Sequence, residues 1–237
     1  MSVPRETGRW RDLPPAEILT RGAAELGVPL SPEQTANLLR FLEELRRWNR
    51  RINLMGPAGP ADQIILHLLD SLSPLPFFPE EKRHLLDLGS GGGLPGLVLK
   101  LVREKWSVTL AESKDRKAAF LRHAVRTLPI KGVEVLTARI SPDLPTLSGR
   151  AFDLITARAF GPLEDLLPLA TPWLAPQGHL LAYKTPGAAA ELAAVQAGLD
   201  SLNLSLETTH DLQLPFLKHH RTILIFKNGG GGGGGAR

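Results

Sequence analysis

The stretch Leu85-Leu86-Asp87-Leu88-Gly89-Ser90-Gly91-Gly92-Gly93-Leu94-Pro95-Gly96 constrains this chain more than any other. An apolar run closes on a carboxylate, and five glycines follow within eight positions before an apolar segment resumes at Leu97. That order reads as a buried strand turning sharply into a helix. A turn stripped of Cβ atoms lets another group lie against its backbone. Ligands of open α/β sheets sit at the carboxyl ends of the strands, so the loop is the candidate floor of a site.

The loop's chemistry narrows the ligand. A phosphate loop of the Walker type ends in Gly-Lys-Ser/Thr, and no such end is present. A dinucleotide fingerprint can be drawn through Gly91, Gly93 and Gly96, but Asp87 would put a negative charge beside the pyrophosphate. A cationic ligand suits that carboxylate better. S-adenosylmethionine carries a sulfonium and an ammonium, and Asp-x-Gly-x-Gly-x-Gly (Asp87, Gly89, Gly91, Gly93) resembles the first motif of Rossmann-like methyltransferases.

Alternation along the chain supplies the frame. A capping serine, a proline and a glutamine at Ser31-Pro32-Glu33-Gln34 start a helix. Its apolar stripe runs through Leu38, Leu42, Leu45, Trp48 and Ile52, with Arg46, Arg47, Arg50 and Arg51 mostly off it. Helices are also predicted over 16–26, 64–72, 97–105, 115–128, 163–174 and 188–202. Strands are predicted from His84 and over 107–110, 133–136, 152–157, 180–184, 204–212 and 222–226. The segment up to Pro15 is expected to be loosely ordered. This order implies a mostly parallel sheet with helices on both faces. Pro74, Pro76 and Pro79 mark a linker, which divides the chain into a helical N-terminal region (1–79), an α/β domain (80–228) and a flexible glycine tail (229–237).

The 237 residues and 43% hydrophobic content suit a full core. Without cysteine there is no disulfide, thiolate nucleophile or cysteine zinc site, and no metal site is expected. A polar start and no apolar run near the roughly 20 residues of a membrane span predict a soluble cytoplasmic protein, expected to be monomeric. A net charge of +4 is compatible with a nucleic-acid partner.

Position picks out further candidates. Glu112 follows the second predicted strand, where a carboxylate can take both hydroxyls of a ribose. Arg158 and Lys184 follow strands four and five on the ligand side. His67 is read as a packed or capping histidine. Arg50, Arg51, Arg116, Lys117, Arg139, Lys184 and Arg221 are the candidates for holding RNA phosphates.

Six motifs in order resemble one family, the bacterial RsmG (GidB) methyltransferases, over about residues 31–227. They are Trp48-Asn49-Arg50-Arg51-Ile52-Asn53-Leu54, His67-Leu68-Leu69-Asp70-Ser71, the loop 87–96 with its Leu94-Pro95-Gly96 end, Arg116-Lys117-Ala118-Ala119-Phe120-Leu121, Thr156-Ala157-Arg158-Ala159, and Lys184. The resemblance implies a class I S-adenosylmethionine-dependent fold with a seven-stranded sheet. It also implies methylation of guanine 527 at ring nitrogen 7, in the helix-18 loop of 16S ribosomal RNA, on the small subunit or its assembly intermediate. Cofactor contacts are implied for Gly89 and Leu94, for Ile140 and Ser141 beside the adenine, and for Arg158. Where the family usually has Arg-Ala-Glu, this chain has Arg139-Ile140-Ser141; Leu66 stands where arginine is common, and Thr185 where glycine is common.

Ring nitrogen 7 has a free lone pair and loses no proton on methylation, so no general base or nucleophile is expected. Positioning would fall to Arg158 and Lys184. The competing readings are a methyltransferase with another RNA or a small-molecule acceptor, and a dinucleotide-dependent oxidoreductase.

Overall fold

The computed structural model describes residues 9–78, 81 and 83–230. Seven strands form one sheet in the order β3-β2-β1-β4-β5-β7-β6. These are β1 (His84–Leu88), β2 (Ser107–Glu112), β3 (Val133–Thr137), β4 (Phe152–Arg158), β5 (Leu174–Lys184), β6 (Leu204–Gln213) and β7 (His220–Asn228). All run parallel except β7, which is antiparallel to both of its neighbours. Strand order reverses between β1 and β4, which opens a crevice at their carboxyl ends.

Side-chain alternation builds two cores, one on each face. Leu85, Val108, Leu110, Leu154, Leu181, Ile223 and Ile225 face one cluster, while Leu86, Leu88, Ile155, Ala157, Leu180, Ala182, Leu224 and Phe226 face the other. The first cluster is closed by the helices α1 (Pro15–Glu25), α2 (Pro32–Asn49), α5 (Gly96–Val102) and α6 (Asp115–Thr127). The second is closed by α7 (Leu163–Ala170) and α8 (Ala188–Val195). Leu38, Phe41, Leu42 and Leu45 of α2 share their cluster with Leu97, Val98 and Leu121, so the N-terminal helices and the sheet are packed as one body across the proline segment.

The start of α2 is the capping box read from its sequence: Gln34 N donates to Ser31 Oγ at 3.1 Å, and Ser31 N to Gln34 Oε1 at 2.9 Å. Its end comes earlier than the apolar stripe suggests. Asn49 Oδ1 accepts from Leu54 N (2.7 Å) and Met55 N (2.8 Å), which turns the chain before Ile52 can continue the helix. The segment between α2 and β1 is a composite helix: α3 (Pro60–Gln63), a π-helical stretch Ile64–Leu69, and α4 (Asp70–Leu72).

Four sequence expectations are corrected. The segment before Pro15 is not loose throughout, because Arg9–Asp12 form a 3₁₀ turn and Trp10 stacks on Phe216 at 5.5 Å. The helix expected over 97–105 stops at Val102, and Lys100 Nζ caps the turn beyond it on the carbonyls of Glu104 (2.5 Å) and Trp106 (2.7 Å). The helix expected over 163–174 ends at Ala170 and tightens into a 3₁₀ turn at Pro172, so β5 begins at Leu174 instead of 180. The helix expected over 188–202 ends at Val195; two 3₁₀ turns carry the chain to Asn203, which adopts φ 53°. Of the predicted glycine tail, residues from 231 onward lie outside the described residues.

Candidate active site

The glycine loop leaves β1 at the crevice. Gly89, Gly91 and Gly93 take φ of +68°, +54° and +77°, a region that costs side-chain-bearing residues strain. Ser90 N bonds to the carbonyl of Ala111 at 3.0 Å, which ties the loop to β2. At Gly91 a Cβ would have only the carbonyl of Gly89 within 4 Å, at 3.7 Å, so the turn presents bare backbone there. At Gly96 a Cβ would stand 2.7 Å from Asp87 Oδ2 and 2.6 Å from Leu110 Cδ2, so glycine lets α5 start against β1 with neither side chain displaced.

Two carboxylates shape the cradle from different sides. Glu112, at the end of β2, accepts from Gly91 N (Oε2, 2.9 Å) and Lys114 N (Oε1, 2.8 Å). Each oxygen keeps a second lone pair, enough for the two hydroxyls of a ribose. Asp87 lies behind the loop, 0% exposed, and accepts from Gly96 N at 3.2 Å and Thr156 Oγ1 at 2.9 Å. Burial pushes its pKa up to about 6, against the lowering effect of Thr156, Ser90, Gly96 and Arg158. Its charge therefore reaches a ligand through the loop and not by contact. The cradle fits S-adenosylmethionine: bare glycine backbone, a diol-accepting carboxylate and a negative charge beneath.

Beside the cradle, at the ends of β4 and β5, is a cavity of about 390 Å³. Phe160 lines it, and a Cβ on Gly89 would stand 3.2 Å from the Phe160 ring, so cradle and cavity share a wall. Arg158, Lys184 and Arg221 line the cavity together with Leu66, His67 and Asp70 from the composite helix. Asp70, 1% exposed, accepts from Arg158 Nη1 (Oδ2, 3.0 Å), Arg221 Nε (Oδ1, 2.7 Å) and Arg221 Nη2 (Oδ2, 2.8 Å). Lys184 Nζ donates to Glu191 Oε2 and to the carbonyl of Gly161, each at 2.6 Å. The bond from Lys184 is the main cause of a lowered Glu191 pKa. His67 is held neutral, its pKa lowered to about 4 by burial and then by Arg158, against the raising effect of Asp70. Burial also raises the Tyr183 hydroxyl well above its ordinary value, and Tyr183 Oη donates to the carbonyl of Ser71 at 2.9 Å.

The structure thus brings Asp87, Gly89, Gly91, Gly93, Leu94 and Glu112 to one cradle, and Arg158, Lys184 and Arg221 to the adjoining cavity. Arg158, Lys184 and Arg221 are each 15% exposed or less, already engaged by carboxylates. Ile140 and Ser141 follow β3, three and four residues past Thr137, which pairs with Glu112. Arg50, Arg51, Arg116 and Arg139 are exposed and Lys117 is half-buried, all outside the cavity. Sequence reasoning gave no role to Asp70, Glu191 or Phe160. Asp70 meets partners 88 and 151 positions away, and only its place in the His67-to-Ser71 motif signalled it.

A mostly parallel sheet reversing at β1/β4, with antiparallel β7 between β5 and β6, a glycine cradle and acidic strand ends, defines a class I S-adenosylmethionine-dependent methyltransferase. The fold is similar to that of magnesium protoporphyrin IX methyltransferase from Synechocystis, solved with bound S-adenosylmethionine (TM-score 0.56, 14% identity, 84% of this chain and 98% of that one). The chain belongs to the GidB family, described as rRNA small subunit methyltransferase G, whose model matches residues 34–223. Among its relatives are the ribosomal RNA small subunit methyltransferases G of Syntrophotalea carbinolica (37% identical, 89% of this chain and 95% of the relative) and Geobacter sulfurreducens (37%, 87% and 94%).

Proposed function

We propose that the chain methylates ring nitrogen 7 of guanine 527 in the helix-18 loop of 16S ribosomal RNA, on the small subunit or its assembly intermediate. On this reading it works as a monomer in the cytoplasm, its N-terminal helices forming one wall of the acceptor cavity. The name shared by the family and its relatives supports a ribosomal RNA acceptor.

The observation that favours ring nitrogen 7 is the state of the cavity's ionisable groups. Both lining carboxylates, Asp70 and Glu191, are engaged by cations. His67, with a pKa of about 4, is a weak base, and Tyr183 keeps its proton. Neither His67 nor Tyr183 is therefore suited to take a proton from an acceptor, and both lining carboxylates are already paired. A purine N7 has none to lose, whereas an exocyclic amine or a hydroxyl does.

S-adenosylmethionine supplies a methyl group on positively charged sulfur. Glu112 would hold its ribose through the two spare lone pairs, the backbone of Gly89 and Leu94 would line its path, and Ile140 and Ser141 would flank the adenine. Arg158 donates to the acceptor purine and Lys184 steadies the rim, so the chain's contribution is orientation of the base. Arg50, Arg51, Arg116, Lys117 and Arg139 hold the RNA by charge, whereas Arg221, expected from the sequence to do so, is buried against Asp70, and the target base enters unstacked.

The test is transfer of labelled methyl from S-adenosylmethionine to small subunits from cells lacking the protein, mapped by cleavage at 7-methylguanosine. One labelled guanine in the helix-18 loop is the expected result. Cofactor binding with no transfer to RNA would instead favour another acceptor.

A further inference from the structure

We propose that Asp70 is a positioning residue of the methyl-transfer site, aiming Arg158 into the acceptor cavity. The proposal rests on the reading of that cavity as the seat of the acceptor base. Asp70 comes from the N-terminal helices, not from the α/β sheet. The π-helical stretch before it widens the helix: its own N–H reaches the carbonyl of Ile65, five residues back. Such widened turns recur at functional sites. Here the turn leaves the carbonyl of Leu66 near Arg158 Nη1, at 3.3 Å.

The three bonds to Asp70 are not equivalent. Arg221 grips the carboxylate with two donors, one to each oxygen, which fixes the plane of the group. Arg158 gives Asp70 a single nitrogen, Nη1. That one hydrogen bond, backed by the Leu66 carbonyl, sets the swing of the Arg158 guanidinium while the remainder of its fork stays uncommitted to Asp70. One carboxylate facing two guanidiniums also leaves an excess of one positive charge. The cavity therefore favours an acceptor such as the keto oxygen of guanine over the amino group that adenine carries at the same place.

A purely structural Asp70 would only fasten the composite helix to β4 and β7. The two roles separate in a double-mutant cycle on the full chain: wild type, Asp70→Asn, Arg158→Ala, the double variant and Asp70→Glu. The measurements are methyl transfer to unmodified small subunits, cofactor Kd and melting temperature. Asp70→Asn should lower kcat by about tenfold or more while cofactor Kd stays within about threefold, the signature of a lost orienting contact. In the Arg158→Ala background the same change should cost no more than about twofold, because Asp70 acts through Arg158. Asp70→Glu keeps the charge that both arginines need but lengthens the arm in a buried site; it too should lose about tenfold in kcat, with the melting temperature reporting any cost to the fold. Should Asp70→Asn not fold, Asp70→Glu decides alone. A folded Asp70 variant with kcat within about twofold of wild type, or losses that multiply across the cycle, overturns the proposal. Wild type that methylates no RNA overturns the reading of the cavity itself, and the proposal with it.

Discussion

Thr156 Oγ1 donates to Asp87 Oδ1 at 2.9 Å, and both side chains are fully buried. The bond joins β4 to β1 where the strand order reverses. It lies two residues before Arg158 and two before Gly89, so it adds a side-chain tie to the β1–β4 ladder between the glycine cradle and the neighbouring cavity.

Thr156→Val keeps the shape and removes the donor. The buried carboxylate then loses one of its lowering partners. Unfolding free energy should fall by about 1–3 kcal/mol, the cost of an unmet buried acceptor. Cofactor binding should weaken in the same variant. Urea unfolding and calorimetric titration read the two effects; unchanged values in both would show that the bond carries neither.

Asp87 gives the chain a pH signature. Its native pKa, about 6, stands above the ordinary 3.8. A group raised on folding contributes stability in full below its unfolded pKa and loses it as pH rises through the folded value. From this group the apo protein should lose stability between about pH 4 and pH 7. Asp87→Asn should lack that slope. Binding of the cationic cofactor runs the other way, since it gains from the carboxylate: affinity for S-adenosylmethionine should fall below pH 6. S-adenosylhomocysteine, without the sulfonium charge, should lose less. Parallel pH profiles for the two ligands would exclude a role for the Asp87 charge.

Gly96→Ala tests the close approach of α5 to β1. A Cβ there would stand 2.7 Å from Asp87 Oδ2 and 2.6 Å from Leu110 Cδ2, so both buried side chains would have to shift. Overpacking of this kind costs about 1–3 kcal/mol. The displaced carboxylate should also disturb the loop, so cofactor affinity should drop with stability. Gly149→Ala is the control, because nothing lies within 4 Å of a Cβ there; its cost should be only the strain of φ +73°.

Much of this site was legible because its parts are local in sequence. The strand, turn and helix of 85–96 declare themselves through glycines that only a bare, left-handed turn requires, and Glu112 through its place at the next strand end. The cavity beside the cradle was half legible. Arg158 and Lys184 follow from strand ends, but what they are paired with does not. Asp70 and Glu191 reach them from other helices, and nothing in local periodicity encodes a contact across such separations. The misplaced helix ends have the same origin. At Asn49 and Pro172 a single side chain or ring overrides a pattern that by itself would continue.

Arg50 and Arg51 follow the last turn of α2 on the surface, outside the cavity. A charge there can act only on something that comes from solvent, and the proposed RNA is that partner. Arg50→Ala/Arg51→Ala should leave cofactor Kd and melting temperature unchanged, because neither residue is buried. It should raise KM for the small subunit without lowering kcat. Two lost phosphate contacts should also flatten the dependence of log affinity on log salt by about 1–2 units. Filter binding of subunits at several salt concentrations measures the slope. An unchanged slope would assign these arginines to the solvated face of the helix and move the RNA path toward Arg116, Lys117 and Arg139.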